Sequence, residues 1–161
     1  GLGDVYKRQP NIIGMAFSYS MTIAVLYPAF ALAVLIFSKS NQLKTVGKIS
    51  IAPAFFGISE PLMFGVPVVM NPFMAIPWII SPTVNVLLGW LACSSGLVAR
   101  YAGVTVFNFP MGVTGILNGS FTIAILEVVV CIIDILIFMP FVRIQDKKYL
   151  AEEKAAAEAE Q

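Results

Sequence analysis

From Ile49 to Val142 the only charged side chains are Glu60, Arg100, Glu127 and Asp134. That leaves too little polar surface to cover a water-facing domain of any shape. Over the whole chain hydrophobic residues reach 58% and charged residues 12%, where a soluble globular domain has ~45–50% and ~25%. Mean hydropathy is +0.87. The medium is therefore lipid, and the expected fold class is an all-α membrane protein.

Several function classes fall away at once. The net charge of +1 comes with no basic stripe carrying interleaved aromatics, so no nucleic-acid partner is expected. Cys93 and Cys131 lie in apolar stretches and form neither a disulfide framework nor a metal-ligand pattern. No histidine is present, which excludes imidazole chemistry within this chain. No phosphate-binding glycine loop or serine–histidine pair occurs, so no catalytic residue, metal or cofactor is implied. Cys93-Ser-Ser-Gly96 superficially resembles a phosphate-accepting cysteine loop. Such a loop needs free backbone amides in water, whereas this cysteine ends a hydrophobic run and is read as structural. Residues 1–9 are polar, unlike the apolar stretch beyond them, and are set aside as a remnant of sequence assembly.

Residues 10–142 are read as membrane-embedded. About 20 apolar residues cross a core of ~30 Å, and three stretches qualify: about Ile12 to Phe37, about Pro82 to Val98, and about Phe121 to Val142. The third carries Glu127 and Asp134, whose spacing of seven puts both on one helix face. Residues 49–80 hold Pro53, Pro61, Pro67, Pro72 and Pro77. As one helix they would be too long for the core, and each proline disfavours helix at the residue before it. Residues 104–118 are too short and too broken by Pro110, Gly112 and Gly115 to span. Both are expected as re-entrant hairpins, the first broken near Glu60-Pro61. Irregular backbone at membrane depth is tolerated only inside protein or along a wet cavity, so a ligand site is expected there.

The basic residues support this parity. Lys39, Lys44 and Lys48 fall in one loop, Arg143, Lys147 and Lys148 come after the last span, and Arg100 stands apart. Three spans and two hairpins put both clusters on one side, which the positive-inside tendency makes cytoplasmic. Residues 143–161 then form a cytoplasmic tail of helix formers and acids.

Glu60 is the residue to explain. It is expected at membrane depth, in the break between two half-helices, where an intramembrane acid defaults to function. The alternative is structural pairing with a basic or amide partner. Asn71 and Asn85 are read as structural polar groups that cap a half-helix or bond a neighbouring helix. Glu127 and Asp134 are read as structural in preference to a proton path.

The run Ile58-Ser-Glu-Pro-Leu-Met-Phe-Gly-Val-Pro-Val-Val-Met-Asn-Pro72 resembles the signature of the lactose/cellobiose (diacetylchitobiose) family of phosphotransferase-system enzyme IIC permeases. That pattern is approximately N-x-x-E-P-[IL]-x-F-G-x-P-[IV]-V-x-N-P. Phe107-Asn-Phe-Pro-Met-Gly-Val-Thr-Gly115 lies where the family has W-T-T-P-x-x-[LI]-S-G, and Met139-Pro-Phe-Val-Arg-Ile-Gln-Asp-Lys-Lys148 is similar to its closing helix. The resemblance runs over most of residues 40–150.

The resemblance implies a bacterial inner-membrane permease of about ten helices, homodimeric, whose C-terminal half holds the sugar. Such a permease binds a β-linked disaccharide and presents it to a phosphocysteine on the partner IIB subunit. The phosphoryl donor is then on IIB, not in this chain. Carried over, Glu60 would accept hydrogen bonds from sugar hydroxyls, with Ser59 beside it. Phe107 would replace a tryptophan lining the sugar, and Asn108 its threonine neighbour. The family's upstream histidine has no counterpart, so the chain reads as a C-terminal part whose N-terminal half is missing. Two readings from other classes stand beside this one: an ion- or proton-coupled transporter using Glu60, Glu127 and Asp134, and a non-transporting membrane scaffold.

Overall fold

Pro28 shapes the first helix. It has no amide to give the Ala24 carbonyl, and its ring crowds the preceding turn. A π-helical turn, Ser20–Ala24, lies just ahead of it within α1 (Met15–Phe37). Regular pairing resumes with Ala29 N–H donating to the Val25 carbonyl at 3.1 Å. The computed structural model describes residues 12–68, 71–105 and 107–159, among which all regular structure is helical. Residues 1–9 lie outside the described residues.

Three helices are long and apolar enough to cross a membrane: α1, α4 (Pro72–Ser94) and α6 (Phe121–Ala159). At 1.5 Å per residue the first two are each ~35 Å long, and the third is ~58 Å. Helix α6 therefore crosses a ~30 Å core and projects well beyond it. It continues through residue 143 without a break, and Gln145, Asp146 and Tyr149 are buried against the rest of the chain.

The second span departs from expectation. It begins at Pro72, ten residues before Pro82, and holds both Pro77 and Pro82 inside one helix. Pro72 sits in the first turn, where an amide has no intrahelical partner in any case. The two interior prolines each leave one carbonyl short, a defect that helices packed against neighbours absorb. The signal from proline density in residues 72–82 was therefore misleading.

Two excursions leave and return at the ends of this bundle. The first holds α2 (Asn41–Phe55) and α3 (Glu60–Gly65). Its entry is tied to α6, since the Asp146 carboxylate accepts from the backbone amides of Lys39 and Ser40 at 2.9 Å. Its exit is tied one residue earlier, where Asn71 Nδ2 donates to Gln145 Oε1 at 2.8 Å. Both ends thus meet α6 at one level. The second excursion closes on itself: Val104 N–H donates to Asn118 Oδ1 (3.1 Å), and Asn118 Nδ2 returns to the Val104 carbonyl (3.0 Å). It is less helical than expected, holding only the short α5 (Val113–Leu117). Side-chain bonds, rather than a second helix, brace its backbone.

Two apolar cores result, one toward each end. Phe30, Val34, Leu43, Leu62, Met74 and Phe138 fill the first. Phe17, Met21, Val25, Ile123 and Val130 fill the second. A buried polar layer lies between them: Asn85 Nδ2 donates to Met21 O (3.0 Å) and to Asp134 Oδ2 (2.7 Å), joining α4 to α1 and α6. Met21 belongs to the π-helical turn, where a carbonyl is more readily available to a side chain.

Candidate functional site

The break in the first excursion is a helix stop joined at once to a helix start. Ile58 N–H donates to Pro53 O and Gly57 N–H to Ala54 O, both at 3.0 Å. That is the paired bonding of a Schellman motif, with Gly57 at φ +75° in the left-handed position it requires. Ser59 precedes α3, and its carbonyl accepts from Leu62 and Met63 N–H. Glu60 opens α3, with Pro61 in the first turn where it removes no needed bond. Helix α2 is 15 residues long, so this break sits about 22 Å from the excursion's base.

Glu60 lies in that break, but exposed on the surface of the chain instead of enclosed by it. The reason is local periodicity. Leu62 and Val66, one turn apart, are the buried residues of this segment, and Glu60 and Phe64 fall on the other side. Among the described residues Glu60 makes no hydrogen bond or ion pair, so its carboxylate oxygens are open to a ligand. Ser59 is half-buried beside it.

The tip of the second excursion reaches the same place through Tyr19. Asn108 N–H donates to Tyr19 Oη at 2.9 Å. The Phe107 ring meets the Tyr19 ring edge-on, with centroids 5.1 Å apart. A Cβ on Gly57 would lie 3.0 Å from Tyr19 Oη and 3.7 Å from Asn108 Oδ1. The two tips therefore converge on one buried tyrosine of α1. Asn108 holds φ +58°, the only non-glycine positive φ among the described residues, and Phe107 remains 58% exposed.

Sequence reasoning missed Tyr19. Its signal was a polar cluster, Ser18-Tyr19-Ser20, inside an otherwise apolar span.

Behind this contact, Glu127 pins the second excursion. Its Oε1 accepts from Ser20 (2.5 Å) and Thr114 (2.7 Å), and Oε2 accepts from Gly112 N–H at 2.6 Å. The single Ser20 proton goes to the carboxylate, so Tyr101 must be the donor in its 2.9 Å bond to Ser20. Burial pushes the Tyr101 phenol above its ordinary range, and the nearby Glu127 carboxylate adds to the rise. Gly115 completes the brace, because a Cβ there would meet the Ala124 amide nitrogen at 2.5 Å.

The other singled-out residues lie elsewhere. Asn71 caps α4, accepting from Phe73 N–H at 3.1 Å, and Asn85 sits in the buried layer between the cores. Cys93 is 4% exposed, and the hydroxyls of Ser94 and Ser95 donate back to the Leu91 and Ala92 carbonyls. No group of three or more potential metal ligands occurs among the described residues.

The arrangement has two chemical faculties: an open carboxylate that accepts from hydroxyls, and an exposed aromatic face that covers apolar C–H surface.

Known proteins bear on this geometry. Residues 4–82 match the family model described as Phosphotransferase system, EIIC. The oligo-beta-mannoside-specific EIIC component of Bacillus subtilis (strain 168) is 37% identical over 157 residues, covering 94% of this chain and 36% of that protein. The lactose-specific EIICB component of Lacticaseibacillus casei is 35% identical over 153 residues, covering 92% and 26% respectively. Among solved structures, the transporter ChbC, the IIC component from the N,N'-diacetylchitobiose-specific phosphotransferase system, superposes with a TM-score of 0.84. It is 37% identical, and the match covers 90% of this chain and 35% of ChbC. The chain thus spans about a third or less of the length of these relatives. With a backbone course shared with such a transporter and this sequence identity over nearly its whole length, this membrane chain belongs to the phosphotransferase-system EIIC family, in the lactose/cellobiose/diacetylchitobiose group.

Proposed function

We propose that this chain carries part of the sugar site of an EIIC permease, which binds and translocates a β-linked disaccharide such as cellobiose, lactose or diacetylchitobiose. The observation that carries this reading is the convergence of the two tips on Tyr19, with Glu60 and Ser59 on one and Phe107 and Asn108 on the other. In this reading Glu60 accepts from sugar hydroxyls and Phe107 lies against the apolar face of a pyranose. Ser59 and Asn108 supply further hydrogen bonds. The relatives' names, specific for oligo-β-mannoside, lactose and diacetylchitobiose, support a β-linked substrate.

The phosphorylated IIB subunit is the proposed partner, and the lactose-specific EIICB relative supports that pairing by its name. The remainder of the permease and a second copy in a homodimer complete the proposed assembly in the bacterial inner membrane. Both Lys/Arg clusters and the C-terminus then face the cytoplasm.

Glu60→Gln in the intact permease tests the site. A hydrogen bond to a charged group contributes ~1.5–3 kcal/mol, so sugar affinity should fall about 10- to 100-fold with membrane insertion unchanged. Undiminished affinity in that variant would refute the assignment. Vesicle uptake with and without phosphorylated IIB separates this reading from an ion-coupled transporter. The satisfied state of Glu127, with three donors on its two oxygens, already disfavours it as a proton relay.

A further inference from the structure

Where α1 ends and α6 leaves its apolar stretch, Lys39, Arg143 and Lys147 line one cavity of about 450 Å³ together with Ile36, Phe37 and Asp146. Arg143 and Lys147 are four residues apart on α6 and so share a face. The Arg143 guanidinium lies 5.2 Å from the centre of the Phe37 ring. All three cationic side chains are exposed. The one acid present, Asp146, is 4% exposed and already accepts the backbone amides of Lys39 and Ser40.

Three cations thus border a single cavity in which the only carboxylate is turned into the protein. Like charges at that spacing repel unless an anion sits among them. The cavity also has an apolar side. Ile36 is 59% exposed on the last turn of a membrane span, and Phe37 is half-buried beside it. An anion alone would use the cations and leave this surface wet. An occupant carrying a negative head on hydrocarbon uses both.

We propose that this cavity binds the phosphodiester headgroup of an anionic phospholipid, with Lys39, Arg143 and Lys147 around the phosphate and the first acyl carbons against Ile36 and Phe37. Charge complementarity and the position at the end of two spans commit the site to a lipid at the membrane boundary. Lys44 and Lys48, exposed on α2, lie outside the cavity and serve as internal controls.

The test uses the intact protein in neutral detergent, titrated with phosphatidylglycerol, with phosphatidylcholine of the same chains, and with inorganic phosphate. Bound lipid is read by native mass spectrometry and stability by melting temperature. Phosphatidylglycerol should bind and raise the melting temperature, and the other two should not. Lys147→Gln alone should weaken phosphatidylglycerol about fivefold, and Lys39→Gln/Arg143→Gln/Lys147→Gln by more than about 50-fold. Lys44→Gln/Lys48→Gln should bind as the parent does. Equal binding of phosphatidylcholine, equal stabilisation by phosphate alone, or unchanged affinity in both cavity variants would overturn the proposal. So would a loss of phosphotransfer from IIB in Lys147→Gln with lipid binding intact, since the face would then serve a protein partner.

Discussion

The backbone amide of Asn108 donates to the phenolic oxygen of Tyr19 across 89 positions of sequence, at 2.9 Å. This bond holds the tip of an irregular excursion against a membrane span, at a residue whose backbone sits in the left-handed region. Asn tolerates that region better than most residues do. The same hydroxyl is where the glycine of the other excursion makes its closest approach. One side chain therefore sets the relative placement of the two tips.

Tyr19→Phe removes the acceptor and leaves the ring. A net hydrogen bond contributes about 1 kcal/mol, so sugar affinity should fall about fivefold, while the ring contact to Phe107 and the helix content are retained. Equilibrium binding measured alongside circular dichroism checks both halves. A parent-like dissociation constant would show that Tyr19 does not position the Asn108 tip.

Gly57→Ala places a methyl group 3.0 Å from Tyr19 Oη at a φ of +75°. The left-handed conformation costs a non-glycine residue about 1–2 kcal/mol, and the methyl presses the two tips apart. A lowered melting temperature and weaker sugar binding should appear together. Glycine's role would be unsupported if the alanine variant melted and bound as the parent does.

Glu127 and Asp134 share a helix face and are both fully buried, yet they should respond oppositely to amide substitution. Glu127 is saturated by donors, so Glu127→Gln turns an amide NH2 toward groups that are themselves donors. A loss of about 2 kcal/mol in stability is expected. Asp134 Oδ2 accepts from Asn85 Nδ2, while among the described residues neither Asp134 Oδ1 nor Asn85 Oδ1 has a hydrogen-bond partner. In Asp134→Asn a neutral amide replaces the buried carboxylate and keeps an oxygen to accept from Asn85 Nδ2. Stability should be unchanged or higher. Parallel melting curves of the two variants decide the matter, and equal losses would contradict this account.

Much of the architecture was legible from composition and breaker residues. The first span, the third span and the break near Glu60-Pro61 all derive from apolar run length and proline positions, whereas the role of Gly57 as the helix stop emerged from the structure. The start of the second span was not legible, because Pro77 and Pro82 carry the same local preference whether or not neighbouring helices absorb their missing bonds. The exposure of Glu60 was also hidden. It depends on which side of the short α3 finds an apolar surface to cover, and Leu62 takes that side.

The candidate site divides the same way. Glu60 stood out as an acid at a chain break in an apolar stretch, whereas Ser59, Phe107 and Asn108 were reached only through the resemblance to the permease signature. Tyr19 was reached by neither route, since it lies within a helix and gains its meaning from a partner 89 residues away. Asp146 likewise reads as one acid of a charged tail, until its carboxylate is seen to accept the amides that begin the first excursion.

What the amino-acid order determined alone was solvent and segmentation. Hydrophobic transfer and missing proline amides act residue by residue, so lipid-spanning stretches and breaks are written locally. What tertiary structure decided was convergence: which break faces which, and through whose hydroxyl. Hydrogen bonds between distant segments depend on ångström-scale separation in space, and that separation exists only once the spans have packed.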